Sequence, residues 1–429
     1  MVDSCPILPA FFTVRNRDIV ICPAPDYGFV TAPCGTEIIG VTGGTGATGG
    51  SGSAVFYYNG DNVALDPTHP DYDPTSNFVF PVQSTEGAGT RIQFTIDGAL
   101  RAGTVDNGQW DIVNRGGNSV AFGVNNTVQA SQSTVAGGSN NSITGGFNSF
   151  IGGGDSNLAS GNGTFIGSGN RNSVPGAFSA IVAGSDNIIN NFTSFIGAGE
   201  QNTVNGQQSF IGAGSLNMTT SSRNFVGAGT QNTASGPSSA VVGGNNNTAS
   251  GNLSFIGAGN DNVASGTSSV ALGGRANAIH SGSFVFSDNT GNPTSSTFNN
   301  QFAVGAAGGT IIYSNAPRTT GVALAPGSSS WAAVSDRNLK ENIVPLDPSQ
   351  VLQHVKDLPV YQYNFIGVPT DTICYGPMAQ DWHAQFPSSK DPLRIELMDL
   401  HGVSLTAIKG LLSRIEQLEA RLLLANIPL

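Results

Sequence analysis

Ser335 and Lys340 lie five residues apart in the stretch SDRNLKENI, residues 335–343, and their side chains suit a serine nucleophile and a lysine base. Lys340 is the first lysine of the chain, and the other three follow it, at Lys356, Lys390 and Lys409. A serine hydroxyl needs an adjacent base before it attacks a carbonyl, and serine–lysine pairs are one solution. A lysine serves as this base where burial or a nearby cation lowers its pKa from about 10.4. Arg337, between the two residues, is a cation of this kind.

The spacing alone does not establish a catalytic pair, because a serine and a lysine at this distance also occur in solvated turns. Asp336, Asn338 and Glu341 stand beside the pair and could polarise or position it. Asp336 could instead cap a short helix, since aspartate is a favoured cap residue. Other features of the sequence are therefore needed to distinguish a catalytic pair from a solvated turn.

Composition excludes several classes of protein. The chain has 429 residues, 58 glycines, a formal net charge of −11 and only 10% charged residues. An acidic chain without a basic run is not expected to bind nucleic acid. No stretch approaches about 18 consecutive apolar residues, so membrane insertion is not expected. The beginning, MVDSCPILPAFF, has no basic start before an apolar stretch and does not predict a secretory signal.

A repeat of 15 residues dominates positions 119–282. Its asparagines are Asn157, Asn172, Asn187, Asn202, Asn217, Asn232, Asn247, Asn262 and Asn277, after an earlier pair at Asn126 and Asn141. An apolar anchor, such as Phe150 or Phe210, stands seven residues before most of them and is followed by Ile, Val or Ala. Glycine follows two places after most anchors. A fixed short period with glycine at set positions indicates a solenoid with one coil per repeat.

The expected fold is therefore mainly β. We expect the anchors to stack inside the coils, and glycine or asparagine to take the tight corners where φ is positive. Each coil offers only two or three apolar side chains, and only seven charged residues occur in the whole stretch. Coils this thin bury little surface alone, which predicts association of several copies along their length.

The motifs NSFIGGGDSNLASG and LSFIGAGNDNVASG resemble the head repeats of YadA-like trimeric adhesins. The resemblance implies a left-handed parallel β-roll in which three chains share one core. Phe stands where that family usually has a small residue, and the period of 15 is longer than the usual one. The cross-section of the coil is therefore expected to differ from that of the family.

Three motifs near the end, SDRNLKENI, YGPMAQDW and LHGVSLTAIKGLLSRIEQLEARL, resemble in order the C-terminal intramolecular chaperone of endosialidases and other phage tail spikes and fibres. The resemblance implies that this segment directs trimer assembly and then cleaves itself off, with no external substrate. Transferred to this chain, Ser335 is the nucleophile, Lys340 is the base, and the cut bond joins Val334 to Ser335. Gln380 and Asp381 belong to the second motif and are interpreted as structural.

The last residues predict a helix with a heptad seam. Its apolar side chains are Ile408, Leu411, Ile415, Leu418, Leu422 and Ala425. This spacing is typical of a coiled coil, which here would continue an existing trimer. A helix packed on its own domain is the alternative.

These patterns divide the chain into six segments. They are an N-terminal attachment segment (1–42), a linker (43–54), an irregular β region (55–118), the β-roll repeats (119–282), a β connector (283–334) and a small α/β chaperone and self-cleaving domain that ends in the helix (335–429). Glycine at every third position of the linker fits either a flexible chain or a short collagen-like piece. In the β region, TRIQFTIDGAL predicts a strand and then a turn at Asp97 and Gly98.

Together the patterns predict a homotrimeric fibre or spike on a virion surface, attached to the particle through residues 1–42 and binding a host receptor such as a glycan. A bacterial surface adhesin is one alternative. A glycan-cleaving tail spike is another, because such hydrolases need two carboxylates about 5–9 Å apart. Acidic side chains for that role are Asp61, Asp66, Asp71, Asp73, Glu86, Asp97, Asp106 and Asp111.

The sequence predicts no metal or cofactor. The histidines, none with metal-ligand spacing, are His69, His280, His354, His383 and His401. The cysteines are Cys5, Cys22, Cys34 and Cys374, without the CxxC spacing of zinc sites. Buried thiols or an inter-chain link explain the first three. Ice binding and calcium binding are disfavoured, because threonine follows the repeat asparagines irregularly and the calcium nonapeptide is absent.

Overall fold

The computed structural model describes residues 87–95, 97–387 and 391–425, together with the backbone of five short strands before residue 81. Those strands are Phe12–Arg15, Asp18–Ile21, Phe56–Tyr58, Val63–Leu65 and Phe78–Phe80. The first two pair with each other, as do the next two. The predictions for the linker and for Cys5, Cys22 and Cys34 lie outside the described residues. The chain divides into two compact units, residues 1–305 and 306–429.

The first unit is a β-solenoid built from two sheets, sheet A with 16 strands and sheet B with 12. Successive strands of one sheet pair in parallel across one repeat, so that Phe150 pairs with Phe165 and Leu158 with Ser173. One coil therefore corresponds to one 15-residue repeat. The predicted mainly β fold, with a solenoid of short repeats, is confirmed.

Most strands of the solenoid contain only two residues. Those of sheet A are Phe78–Phe80, Gly89–Phe94, Leu100–Val105, Val120–Val124, Thr134–Val135, Phe150–Ile151, Phe165–Ile166, Ala180–Ile181, Phe195–Ile196, Phe210–Ile211, Phe225–Val226, Ala240–Val241, Phe255–Asn260, Val270–Gly274, Phe284–Ser287 and Phe302–Gly305. Those of sheet B are Thr127–Val128, Ser142–Ile143, Leu158–Ala159, Ser173–Val174, Ile188–Ile189, Thr203–Val204, Met218–Thr219, Thr233–Ala234, Thr248–Ala249, Val263–Ala264, Ala276–Ala278 and Thr294–Ser295. A short 3₁₀ helix, Ile112–Asn114, precedes the regular coils.

A single chain fills the interior of the solenoid. In the two-residue strands before Thr294–Ser295 the second residue points inward, as Ile166 does in sheet A and Val174 in sheet B, and both are fully buried. Phe165, which precedes Ile166, lies on the outer surface and is 40% exposed. The expectation that the phenylalanine anchors stack inside is therefore wrong, and the aliphatic residues after them form the core.

Two properties of the coil explain this arrangement. Side chains alternate across a strand, so only one of two adjacent apolar residues can face inward. The inward rows consist of Ile, Val and Ala, with Thr219 as a polar exception. The interior needs no side chain from another copy, so the prediction that several copies associate now depends on the outer surface.

A ladder of buried asparagines closes one corner of the coils, from residue 126 to residue 262. Asn202 Nδ2 donates to Asn187 Oδ1 (3.0 Å) and to the Gly214 carbonyl (2.8 Å), and Asn202 Oδ1 accepts from the backbone N–H of Asn217 (3.1 Å). Buried backbone groups must find such partners. The asparagine of each repeat thus joins its coil to the coils on both sides.

The corner differs from the expectation in two details. The non-glycine residue with positive φ is the one before each ladder asparagine, such as Gln201 (φ 56°), and not the asparagine itself. Asn277 lies outside the ladder, and the backbone N–H of Ala276 bonds to Asn262 Oδ1 instead (2.8 Å). That coil is one residue shorter than the 15-residue coil before it, because Val263 pairs with Asn277 whereas Thr248 pairs with Val263.

A second polar ladder, not predicted from the sequence, closes the other corner. The buried residue just before each anchor is usually serine. The backbone N–H of Ser194 donates to Ser179 Oγ (3.0 Å), and Ser194 Oγ donates to the Gly206 carbonyl (3.1 Å). Serine at this position in most repeats was the available signal.

An antiparallel hairpin continues sheet A before the first coil. It consists of Gly89–Phe94 and Leu100–Val105, and Gly98 has a φ of 77°, as the predicted turn requires. The buried side chains of its two strands are the polar Arg91, Gln93 and Arg101 and, at the end of the second strand, the apolar Val105. Arg101 Nη2 donates to Ser119 Oγ (2.7 Å), and burial together with the nearby Arg115 lowers the pKa of Arg101 to about 10. Polar groups thus form the end of the apolar core.

The second unit combines small sheets with three helices. One sheet contains Thr310–Tyr313, Gly321–Leu324 and Ala332–Ala333, and another contains Tyr361–Tyr363 and Cys374–Gly376. The helices are α1 (Pro348–Asp357), α2 (Ala379–Gln385) and α3 (Leu397–Leu424), preceded by a 3₁₀ helix, Arg337–Leu339. The predicted small α/β region with a final helix is confirmed.

The helices of the second unit share a small core. Val351 of α1, Trp382 of α2 and Val403 and Ala407 of α3 are buried there. Gly410 lets α3 approach α1 closely, because a side chain at this position would meet the Pro348 backbone carbonyl.

Candidate functional site

The structure brings Ser335 and Lys340 together. Lys340 Nζ lies 2.6 Å from Ser335 Oγ, within hydrogen-bond distance. The intervening 3₁₀ helix, Arg337–Leu339, makes this possible, because it turns the chain back between the two residues. The backbone N–H of Lys340 donates to the Arg337 carbonyl (3.2 Å) and ends this helix. The spacing of five residues therefore corresponds to one tight turn with both side chains on the same side.

Asp336 and Asn338 support the turn and do not contact the pair through any described hydrogen bond. Asp336 is the N-cap of the 3₁₀ helix, and its Oδ1 accepts from the backbone N–H (2.9 Å) and Nδ2 (3.1 Å) of Asn338. The capping interpretation of Asp336 is thus confirmed. Glu341 and Arg337 are exposed.

The bond between Val334 and Ser335 lies where the last strand of a sheet ends. The backbone N–H of Val334 donates to the Gly321 carbonyl (3.1 Å), which holds the residue before this bond against the neighbouring strand. Val334 is half-buried, whereas Ser335 and Lys340 are exposed in the single chain. An anchored residue on one side and a hydroxyl with an amine on the other is a geometry suited to cleavage of the intervening bond.

Helix α3 has two apolar faces. One packs on α1 through Val403, Ala407 and Gly410. The other is the predicted seam, in which the side chains of Ile408, Leu411, Ile415 and Leu418 are 47–60% exposed. The helix therefore packs on its own domain and also presents an uncovered apolar row. The two alternatives for this helix turn out to be compatible.

The segment that starts at Ser335 is similar to a known protein family. Residues 335–389 match the family model described as the chaperone of endosialidase. The match begins at Ser335 and includes Lys340, α1 and α2. We refer to these residues as the chaperone segment. No curated protein was found that matches the chain.

Gln380 and Asp381 of the second motif lie in α2. A hydrogen bond to Asp381 raises the pKa of Tyr361, a residue of the strand Tyr361–Tyr363. Asp381 therefore ties α2 to a strand of the chaperone segment, in agreement with the structural interpretation of this motif.

The described carboxylates from the glycan-cleaving alternative have local structural partners. Asp97 accepts from Arg115 Nε (3.1 Å). Burial opposes the charge of Asp97, but hydrogen bonds from Thr95 and Arg115 outweigh it and lower the pKa of this carboxyl. Asp111 accepts from the backbone N–H of Gly87 (2.8 Å). The five acidic residues from Asp61 to Glu86 lie outside the described residues.

Within the described ranges, no group of three or more His, Cys, Asp or Glu side chains could hold a metal ion. His280 bonds to Ser296 (3.0 Å) and His354 to Gln385 (3.0 Å), as local structural histidines do. Cys374 is a free, half-buried thiol. In the same part of the chain, no helix is both long enough and apolar enough to cross a membrane.

Proposed function

We propose that this chain is one copy of a homotrimeric tail spike or tail fibre whose C-terminal region assists assembly and then cuts itself off. The observation that carries the proposal is the match of residues 335–389 to the chaperone of endosialidase, in a chain whose earlier part is a β-solenoid. The solenoid is the shaft, and its repeats give stiffness with few charges. The six predicted segments are retained as the domain organisation of this proposal.

Exposed apolar side chains in the second unit support assembly of several copies. Val344, Phe365, Ile366 and Tyr375 are more than 60% exposed, and the seam of α3 is uncovered as well. Soluble single chains rarely expose so much apolar surface, and large exposed patches mark contact sites. Three parallel copies of α3 would cover the seam as a coiled coil.

The proposed cleavage is an attack by Ser335 on the peptide bond that precedes it. Lys340 takes the hydroxyl proton as Ser335 Oγ bonds to the carbonyl carbon of Val334. The C–N bond then breaks, and the proton passes to the released amine of Ser335. The ester left between Val334 and Ser335 Oγ is hydrolysed by water, which frees the carboxylate of Val334. The 2.6 Å distance between Ser335 Oγ and Lys340 Nζ supports the first step.

In this proposal, cleavage occurs only after the copies have assembled. A lysine acts as a base only when its surroundings favour the neutral amine, and burial is one way to achieve this. Both members of the pair are exposed in the single chain. Neighbouring copies that cover them would exclude water and activate the amine, so cleavage would report a completed trimer.

The spike acts at a virion surface in this proposal. Residues 1–42 attach it to the particle, and the shaft presents a surface for a host receptor. The described carboxylates of the glycan-cleaving alternative already serve in the fold, so that alternative receives no support from them.

Mass spectrometry of the expressed full chain tests the proposal. Wild type is expected to release residues 335–429, a fragment of 95 residues that begins at Ser335. Ser335→Ala and Lys340→Ala should remain intact. Ser329→Ala and Lys356→Ala, at exposed positions away from the pair, are matched controls that should be cleaved like wild type.

Sedimentation of the same samples provides the second measurement. Wild type and the two uncleaved variants should sediment as trimers, because the substitutions remove chemistry and not apolar contacts. Release of the same fragment from both Ser335→Ala and Lys340→Ala would show that the pair does not cut the chain. A monomeric wild type would contradict the assembly part of the proposal.

A further inference from the structure

Sheet A carries two rows of outward-pointing side chains, which we call the outer face. From the strand Gly89–Phe94 onward, the first row is Phe94, Leu100, Val120, Thr134, Phe150, Phe165, Ala180, Phe195, Phe210, Phe225, Ala240, Phe255, Val270, Phe284 and Phe302. The second row, two residues away on each strand, is Ile92, Ala102, Phe122, Ala136, Gly152, Gly167, Val182, Gly197, Gly212, Gly227, Val242, Gly257, Leu272, Phe286 and Val304. These rows contain no charge, and Thr134 is their single polar side chain.

From Phe150 to Gly257, neighbouring positions of the outer face compensate each other in size. A methyl group placed on Gly167 would meet the backbone carbonyl of Val182 in the next coil and would lie 3.4 Å from Cε1 of Phe165, so the next coil and the ring both crowd this position. In the two coils where Ala180 and Ala240 replace the ring, a valine stands in the second row instead of glycine. On a surface exposed to water, the summed volume of neighbouring side chains can vary freely, whereas side chains packed against another surface must keep that volume nearly constant.

The hairpin before the coils extends the outer face, and its first strand points apolar residues outward and polar residues inward. Arg91 points inward and is buried, whereas its neighbour Ile92 and Phe94 point outward and are 43% and 48% exposed. A strand with one face in water normally points its apolar residues inward. The inverted strand indicates that its outward side is covered in the assembled protein.

The uncovered area is larger than single chains usually expose. The rings of Phe150, Phe165, Phe210, Phe225 and Phe255 are each 36–40% exposed. With the hairpin, valine and C-terminal members of the two rows, roughly 900 Å² of apolar surface stays open, if a phenylalanine presents about 200 Å². The largest patch on an ordinary monomer is about 300–600 Å², and about 800 Å² per partner is typical of a stable interface.

The regular spacing of the rings indicates which kind of partner fits the outer face. Phe195, Phe210 and Phe225 stack with ring centroids 5.4 and 5.3 Å apart, one ring on each successive coil. Another copy of this solenoid offers apolar side chains at the same repeat. A glycan or a nucleic acid needs hydrogen-bonding groups, and the outer face offers only Thr134. The outward row of sheet B, by contrast, includes Thr203, Thr233 and other polar residues.

We infer that the outer face of sheet A is the surface by which copies of this chain contact one another along the shaft. In a trimer each copy turns this face toward the common axis, and sheet B with the charged corners remains in water. The inference rests on the proposed trimer and specifies which surface of the solenoid forms it. The core inside each coil belongs to one chain, and the apolar layer between the coils is shared.

Site-specific photo-crosslinking of the full chain tests the inference. The photoreactive amino acid p-benzoylphenylalanine replaces Phe210 on the outer face, or Thr233 on sheet B as the control. A third chain carries it at Phe255, so that the test survives if the first site does not tolerate the probe. After irradiation, denaturing electrophoresis is expected to show linked pairs and triples from Phe210 and Phe255, at least tenfold more than from Thr233. Sedimentation before irradiation reports the oligomeric state.

Two outcomes would overturn the inference in different ways. Trimers that crosslink through Thr233 and not through either phenylalanine site would show that another surface forms the contact, while the proposed function stands. Monomers without crosslinks would overturn both the outer-face contact and the proposed trimer. Trimers that crosslink through Phe210 or Phe255, with little product from Thr233, support the inference.

Discussion

The ring of Phe210 lies over Gly212, and a methyl group placed on that glycine would be 3.3 Å from the ring atom Cε1. Two coils later, Ala240 and Val242 occupy the same two positions. The ring and the valine side chain thus fill the same space on alternative coils. The pairing of large with small residues holds in the coils from Phe150 to Gly257.

The pairing predicts a coupled effect of two substitutions. Ala240→Phe alone should lower the free energy of unfolding by about 1–3 kcal/mol, because the new ring meets Val242 in an already filled space. Adding Val242→Gly should recover most of that loss, since the coil then has the Phe–Gly form of its neighbours. Thermal unfolding of the wild type, both single variants and the double variant measures the coupling. Purely additive effects would show that the two positions do not share space.

The buried asparagine ladder predicts a strong dependence on single amides. Asn202→Ala removes two donated hydrogen bonds and the acceptor of the Asn217 N–H. The buried Asn217 N–H is then left without a partner, whereas the Gly214 carbonyl still accepts from the backbone N–H of Glu200. We expect a loss of about 2–4 kcal/mol in unfolding free energy from the unpaired N–H and the lost amide hydrogen bonds. Asn205→Ala, an exposed asparagine in the same coil, should change stability by less than about 0.5 kcal/mol. Equal effects at both positions, in denaturant titrations, would contradict this account of the ladder.

The period of 15 residues was sufficient to predict the solenoid, because only a coil that returns to the same place can use Asn, Ser and Gly at fixed positions. The period does not say which of two adjacent apolar residues faces inward. Phe is usually a core residue, and this general preference led to the wrong side for Phe165. The deciding fact is the narrow interior, which holds Ile166 and its equivalents and leaves Phe165 on the outer face.

The geometry of the Ser335–Lys340 pair could also be predicted only in part from the sequence. A spacing of five residues from Ser335 to Lys340 is compatible with many backbone paths, and only the 3₁₀ turn makes the 2.6 Å contact. The role of Asp336 as its cap follows from residue type and was open to prediction. The exclusion of Asn277 from the ladder could not be predicted. Asn277 keeps the spacing of 15 residues in the sequence, but the coil is one residue shorter, so Ala276 takes the ladder position instead.

The salt bridge at the solenoid end predicts a pH-dependent effect. Asp97 has a lowered pKa in the folded chain, so its contribution is present above the pKa of the unfolded state and is lost as pH falls through the folded pKa. Asp97→Asn should therefore reduce stability at pH 7 by about 1–3 kcal/mol, because Arg115 loses its partner. The difference from wild type should shrink below about pH 4. Thermal unfolding of both proteins between pH 3 and about pH 7 measures it. A difference that stays constant over this range would exclude the pair as its cause.

The exposed seam of α3 predicts that assembly and cleavage fail together. Ile415→Asp places a charge in the seam, where three copies would bring like charges together in an apolar contact. We expect at least a tenfold loss of trimer in sedimentation and a matching loss of the 95-residue fragment. Glu416→Gln, one residue away and off the seam, should leave both unchanged. Full cleavage of a monomeric Ile415→Asp chain would separate the reaction from assembly.

The position of the nucleophile next to the cut bond predicts an ester intermediate that can be trapped. In the proposed reaction Ser335 attacks the carbonyl of Val334, so the two parts of the chain would remain joined through an ester until water arrives. Neutral hydroxylamine attacks esters faster than amides, so it should speed release of the fragment and leave a hydroxamate on Val334. Ser335→Cys should still be cleaved, through a thioester that hydroxylamine opens faster still. Mass spectrometry of the shaft fragment detects the hydroxamate as a C-terminal mass shift. Fragments with an unmodified carboxylate at every hydroxylamine concentration would show that water attacks the peptide bond directly, with Ser335 in another role.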